Sequence, residues 1–325
     1  MAITITNGNE KLTITEGAES HSYNRDNLSV GTFGDYVLLF RDFKEHRRFL
    51  YTDVTTPTST SAVDLRDEIN ALLIQEPYMH EVAAGEMTGK TVWNKFGYNS
   101  DVDTGAEEII ASFGGAFNPV SNVITTAQTF TITYNNGTDG LGTTGALSLL
   151  FTYIDSSFTS QIGIHTLGST GSDVTSFTGL GINRAVVFSN GGLGYNVNDI
   201  TITATDDGTT QAQVPALGSV TQQALFHTQI NHNFFAEWLL INCRKLSGAG
   251  GSPRVTIRGY SWSRFTLTRY EIFRYEIDTS VENTLEIAPP APFTVGGREV
   301  LYFTAETNTN NTVVNLRFTG VEESV

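Results

Sequence analysis

Thr129-Phe130-Thr131-Ile132-Thr133-Tyr134 alternates polar and apolar side chains and runs straight into Asn135-Asn136-Gly137. A period of two places Phe130, Ile132 and Tyr134 on one face of a strand. The Asn-Asn-Gly that follows supplies residues that tolerate the backbone of a tight turn. The pattern recurs at Ile200-Thr201-Ile202-Thr203, with Asp206-Asp207-Gly208 behind it. Short alternating strands punctuated by turn signals predict an antiparallel sandwich or barrel.

Composition extends that reading to the whole chain. Charged residues are 16% of the 325, below the roughly 25% usual for globular domains. Uncharged polar runs take their place, such as Thr55-Thr56-Pro57-Thr58-Ser59-Thr60-Ser61 and Asn308-Thr309-Asn310-Asn311-Thr312. Thr, Ser, Asn and Gly suit strand faces and turns better than helices.

Residues 1–76 read as a small α+β module for anchoring. Ile3 and Ile5, then Leu12 and Ile14, alternate on either side of Asn7-Gly8-Asn9, a hairpin signal. Strands are expected over 35–43 and 48–53, with Lys44-Glu45-His46-Arg47 as a charged turn between them. Leu65, Ile69, Leu72 and Leu73 share one helical face, Ser61 and Asp64 resemble a capping box, and Pro77 stops the helix.

Residues 77–90 read as a connector. Residues 91–222 read as an acidic, Gly/Thr-rich β-sandwich; from Lys90 to residue 222 only Lys90, Lys95 and Arg184 face ten acids. Residues 223–325 read as an aromatic, Arg-rich β-sandwich, with nine Lys or Arg against ten acids and strands expected over 255–260, 266–277, 299–304 and 313–318. Pro289, Pro290 and Pro292 mark a loop. The chain is therefore read as mainly β: the N-terminal α+β module followed by two antiparallel β-sandwich, jelly-roll-like domains.

Charge and motifs narrow the function classes. A net charge of −15 repels phosphate backbones and anionic headgroups, so neither nucleic acid nor membrane is an expected partner. A lone cysteine, Cys243, allows no intrachain disulfide and suits a reducing cytoplasm. The opening residues lack the pattern of a signal peptide, and no stretch reaches the length of a membrane-spanning helix. There is no Walker loop, dinucleotide fingerprint, His-Glu-x-x-His or nucleophile elbow, so no enzyme activity and no cofactor are expected.

Weaker constellations read as structural. Cys243 lies in an apolar strand, where an inert buried thiol is expected. His227 and His232, five apart, fall on opposite faces of a strand, so no metal site is expected there. Asn99, Asp101, Asp103, Glu107 and Glu108 miss calcium-loop spacing, because Thr104 stands where the glycine belongs and Ile110 where the last acid belongs. A helix N-terminus at Asp103 or Thr104 explains the same acids. A glycan-cleaving enzyme would need paired carboxylates in a cleft, and Asp206 and Asp207 read as a hairpin turn instead. Arg258, Arg264, Arg269 and Arg274, interleaved with aromatics including Tyr260 and Trp262, are the candidate protein interface, since Tyr, Trp and Arg are enriched at such surfaces.

The stretch from Gly85 to Glu108, including Phe96-Gly97-Tyr98-Asn99-Ser100-Asp101-Val102-Asp103-Thr104, resembles a signature of tailed-bacteriophage virion structural proteins. Gly114-Gly115, Pro119 and the Gly/Thr-rich run at 137–145 resemble its later elements, and the likeness extends over about residues 85–320. It implies a non-enzymatic virion component (head decoration, head fibre, neck or tail) assembled in the host cytoplasm. The partners implied are copies of itself, a trimer among the options, and other virion proteins such as the major capsid protein. It carries no catalytic residue. The alternative is a receptor- or glycan-binding adhesin of tail-fibre type that stacks host sugars on loop aromatics such as Trp93, Tyr98 and Tyr195.

Overall fold

The structure, a computed structural model, describes residues 78–246, 252–289 and 291–325, and before them the backbone of seven strands. The chain is mainly β. It divides into two compact units, residues 1–81 and 82–325.

In the first unit, β1 (Ile3–Asn7) pairs antiparallel with β2 (Lys11–Glu16), Ile5 opposite Ile14, as the Asn-Gly-Asn hairpin signal requires. β3 (Glu19–Asn24) extends that sheet beyond β2, and β7 (Val54–Thr55) lies parallel to β1. β4 (Leu28–Phe33), β5 (Tyr36–Arg41) and β6 (Lys44–Leu50) form a second antiparallel sheet. Lys44–Arg47, expected as a turn, is the first half of β6; cross-strand pairing overrides the poor strand propensity of a charged run. The helix expected over residues 61–76 lies outside the described residues.

A helix, Tyr78–Ala83, occupies part of the expected connector, and Gly85 at φ 78° ends it. The larger unit then opens with β8 (Lys90–Val102) and β9 (Glu108–Ile109). Neither joins the strands that follow. β8 pairs with β24 (Thr312–Ser324), and β9 with β23 (Glu299–Thr307). The expected boundary between residues 222 and 223 is therefore only one of two. The C-terminal body starts at β8, and a second body is inserted in its sequence.

The inserted body contains β10 (Phe130–Thr133), β11 (Ala146–Ile154), β12 (Ser160–Thr166), β13 (Ser172–Val174), β14 (Gly181–Asn190), β15 (Ile200–Ala204) and β16 (Thr210–Val214). Its two antiparallel sheets have the orders β13-β10-β15-β16 and β12-β11-β14. Phe130, Ile132, Ile200 and Ile202, the apolar halves of the alternating runs, are buried and share one core with Leu149, Phe151 and Ile182. Fully burying each such side chain stabilises the fold by about 1.5–3 kcal/mol. Asp139, fully buried, accepts backbone N–H groups from Ala146, Val197 and Asn198, so it ties two loops to this core.

The C-terminal body adds β17 (Leu225–His227), β18 (His232–Lys245), β19 (Arg254–Ser263), β20 (Thr268–Asp278), β21 (Thr284–Ile287) and β22 (Phe293–Val295). One sheet runs β17-β23-β19-β20 and the other β21-β18-β24-β8, with β22 also on β18. Phe226, Phe234, Leu239, Ile257, Phe303 and Phe318 belong to their common core.

Gly97 lies where β8 crosses this core. A Cβ there would overlap the Ile110 carbonyl oxygen and the Ala224 backbone. Gly97→Ala is expected to destabilise the chain by about 1–3 kcal/mol, as overpacking does. Gly137→Ala, in an exposed turn with only a side-chain oxygen nearby, is expected to have little effect. Urea unfolding midpoints of the two variants check the contrast.

Candidate functional site

The signature segment is a folding device. Glu108 Oε1 accepts the Asp103 N–H at 3.0 Å, and Oε2 accepts Asn99 Nδ2 at 3.1 Å and the Gly115 N–H at 3.2 Å. Asn99 Nδ2 also donates to the Ile109 carbonyl, and its Oδ1 accepts the Asp101 N–H. Asn99 and Glu108 are both buried, and the pair supplies hydrogen-bond partners to backbone groups of Asp101, Asp103, Ile109 and Gly115. The helix N-terminus expected at Asp103 or Thr104 is absent: Thr104 donates its N–H to Asn310 and bridges to Thr307. Among the described residues no group of three or more His, Cys, Asp or Glu side chains is placed to hold a metal.

The other weak constellations separate as well. His227 ends β17 and His232 begins β18, strands of different sheets joined by a turn. Gln128 holds the turn at Asp206 and Asp207, accepting both backbone N–H groups and donating to the Asp207 carboxylate. Cys243 is buried, and burial pushes its thiol up to about 12.

The six candidate interface residues do not form one surface. Tyr260, Trp262 and Arg264 are interior. Strand alternation predicts one buried face for β19, but residues 109–123 lie over the other. Ile109, Ala111 and Val123 pack there with Tyr260, Trp262 and Tyr302. Arg258 pairs with Glu306 at 2.8 Å and lies 3.9 Å from Glu107. Arg269 stacks over the Tyr260 ring at 4.4 Å. Only Arg274 remains a solvent-facing ion pair, with Glu271. The exposed apolar groups of this hairpin are Phe265, Leu267, Tyr270 and Tyr275, at its tip and along β20.

The densest polar chemistry lies where the two bodies meet. Arg264 donates from Nε to the Ile124 carbonyl at 3.2 Å and from Nη2 to the Leu180 carbonyl at 2.8 Å. Gln223 donates to the Ile182 carbonyl, and Lys95 Nζ to the Asn183 carbonyl. Asn183 and His227 exchange two bonds, 2.7 and 2.9 Å, between side chain and backbone. Around the start of β14 the chain thus presents three carbonyls, those of Leu180, Ile182 and Asn183, to donors from the C-terminal body.

His227 Nδ1 lies 2.8 Å from Arg264 Nη2, so the imidazole accepts there and must be neutral. Burial, Arg264 and Lys95 hold its pKa well below the ordinary histidine value. Burial, with Arg184 nearby, lowers Lys95 to about 7. Burial also lowers Arg264.

Beside this joint opens a cleft of about 640 Å³, lined by β8 residues 91–96, Thr152, Arg184, Val220, Thr221 and Arg317. Trp93 is fixed in its wall by packing on Phe226 and by donation from Nε1 to Glu322. Of the aromatics expected in loops, Trp93 and Tyr98 are instead β8 residues; Tyr195 is in the β14–β15 loop. None of Lys95, Arg184 and Arg317 was prominent in the sequence. A signal for Lys95 was present: it shares the buried face of β8 with Gly97 and Asn99, where apolar residues belong.

No protein-family model matches the sequence, and no curated protein matches it. Among solved structures, the chain is similar at 8% identity to that of infectious bursal disease virus Gt strain, covering 77% of this chain and 87% of that one, with a TM-score of 0.13. The crystal structure of the infectious bursal disease virus VP2 subviral particle gives 10% identity, coverage of 72% and 80%, and a TM-score of 0.11. Scores of this size define no common fold.

Lys95 makes stability depend on pH. Its unfolded-state pKa lies near the ordinary 10.5, whereas in the folded chain it is about 7. Between those values the unfolded state binds more protons, so its contribution to stability rises with pH over that window. Wild type is expected to gain stability relative to Lys95→Met as pH is raised from about 7 to 9.5, read from urea unfolding at stepped pH. A constant difference between the two proteins contradicts the assignment.

Proposed function

We propose that this chain is a non-enzymatic structural protein of a virus particle, of the tailed-phage class, whose two-sheet bodies are of β-sandwich, jelly-roll-like type. It acts in many copies through protein–protein contacts, with other particle proteins as further partners. The observation that carries this reading is the β19–β20 hairpin. β20 ends its sheet with no strand beyond it among the described residues, and Phe265 at its tip is 83% exposed. An open strand edge beside exposed aromatics offers a partner both backbone hydrogen bonds and apolar area.

The partner at this edge is a second copy. The outer face of the β12-β11-β14 sheet offers the complementary apolar surface: Ile162 and Ile164 on β12, with Phe188 on β14, are exposed. Two different apolar surfaces on one chain define a heterologous contact, which propagates from copy to copy. The Gly85–Glu108 resemblance is what favours a tailed-phage particle in this reading.

A second reading, binding of a host-surface glycan, draws on the cleft beside Lys95, Arg184 and Arg317.

Light scattering across a concentration series tests the contact. The chain is expected to self-associate, and Phe265→Lys/Tyr270→Lys and Ile162→Lys/Ile164→Lys are each expected to remain monomeric. Mixed, the two double variants retain one good surface each and are expected to form 1:1 pairs. A wild-type chain that stays monomeric, or variants that associate unchanged, contradicts the contact. Absence of the chain from purified particles by mass spectrometry contradicts the reading as a whole.

A further inference from the structure

The cleft beside the joint has an electrostatic character opposite to that of the chain. The protein carries −15 overall, yet the ionisable side chains lining this cleft are Lys95, Arg184 and Arg317. They come from three strands of two bodies: β8, β14 and β24. Among the described residues none of the three has a carboxylate at ion-pair distance. Two acids nearby are engaged elsewhere: Glu286 accepts at 2.8 Å from Nε1 of Trp238, whose ring Arg317 overlies, and Glu322 is buried behind Trp93. Its oxygens accept from Trp93 Nε1, the Gln229 N–H and Gln229 Nε2.

Two of the three cations are held in place by something other than an acid. Lys95 is anchored on the Asn183 carbonyl, Arg317 donates from Nε to Asn94 Oδ1 at 2.9 Å, and its guanidinium lies 5.9 Å from the Trp238 ring centre. Arg184 is exposed, and its charge is felt by Lys95. Arg184 and Lys95 repel one another, and an anion in the cleft relieves that cost. The remaining lining is hydroxyl and amide (Thr91, Thr152, Thr221 and Asn94), aliphatic (Val92 and Val220) and aromatic, with the fixed edge of Trp93 and the 41%-exposed Phe96.

We infer that this cleft binds an acidic saccharide. Arg184 and Arg317 take its carboxylate, Asn94 and the threonines take its hydroxyls, and Phe96 covers the apolar face of a ring. Arginine forks match carboxylates bidentately, and aromatic faces suit the apolar side of a sugar. A volume of about 640 Å³ is within the range of small-molecule sites. The inference rests on the glycan-binding reading and gives it a ligand class; no cleft residue belongs to the β20 edge, whereas Thr152 and Arg184 lie in register with Ile162 on the β12-β11-β14 face.

Isothermal titration of the full chain with a uronic-acid tetrasaccharide tests it, with a neutral glucose tetrasaccharide and inorganic phosphate as comparison probes. The uronate is expected to bind at one site per chain, and the neutral sugar and phosphate at least about tenfold more weakly, since each lacks half of the recognition. Arg184→Gln and Arg317→Gln are each expected to weaken uronate binding by about tenfold, the loss of one charge-assisted contact. Arg184→Gln changes an exposed residue, so an unchanged thermal midpoint accompanies the loss. The inference is overturned if the uronate does not bind, if either comparison probe binds equally well, or if both substitutions leave its affinity unchanged. The association-deficient Phe265→Lys/Tyr270→Lys chain, whose changes lie outside the cleft, is expected to bind the uronate normally, so a failure of assembly and a failure of this site read out separately.

Discussion

Three backbone carbonyls at the start of β14 (Leu180, Ile182 and Asn183) set the position of everything else in the larger unit. Each accepts from a side chain of the C-terminal body, and two of the three donors are cations. Removing a cation from water is costly unless hydrogen bonds replace its hydration. Carbonyls replace it only in part, which is why Lys95 gives up its proton so readily and His227 stays neutral as an acceptor. An acid at the joint would stabilise these charges; among the described residues no carboxylate lies at ion-pair distance from Lys95 or Arg264. The arrangement fixes one geometry between the two bodies and leaves a positive cleft at its rim.

That joint exists because the chain returns on itself. β8 is paired along its length with β24, the last strand, so the first element of the C-terminal body waits for the last. The Asn99–Glu108 knot turns the chain from β8 into β9, and residues 109–123 then cover the outer face of β19 before the inserted body begins. The Phe96–Glu108 run thus owes its composition to turn chemistry and burial. Its acids and amides satisfy backbone groups at a crossing point.

Period-two patterning made the strands legible wherever one face is buried. Phe130, Ile132, Ile200 and Ile202 were readable as core from alternation alone, and so was the inert burial of Cys243. Long-range pairing was not. Nothing local in Lys90–Val102 says that its partner lies more than two hundred residues on, so the sequential boundary at 222 missed the insertion. Burial on the second face of β19 was hidden for the same reason: Tyr260 and Trp262 look like surface aromatics until residues 109–123 are laid across them. The cleft cations were invisible one by one, because Lys95, Arg184 and Arg317 are brought together only by the joint.

The proposed function rests on surfaces. The inserted body uses its acids as turn ties: Asp139, Asp155 and Asp207 each accept hydrogen bonds from neighbouring loops. The unspent chemistry is an open aromatic strand edge, an apolar sheet face and a positive cleft, which suit assembly and recognition. A cryo-EM map of purified particles containing this chain tests that account most directly. It predicts symmetry-related copies in which the β20 edge of one lies on the Ile162/Ile164 face of the next. A map in which copies are present but make no contact with one another through these two surfaces would contradict it.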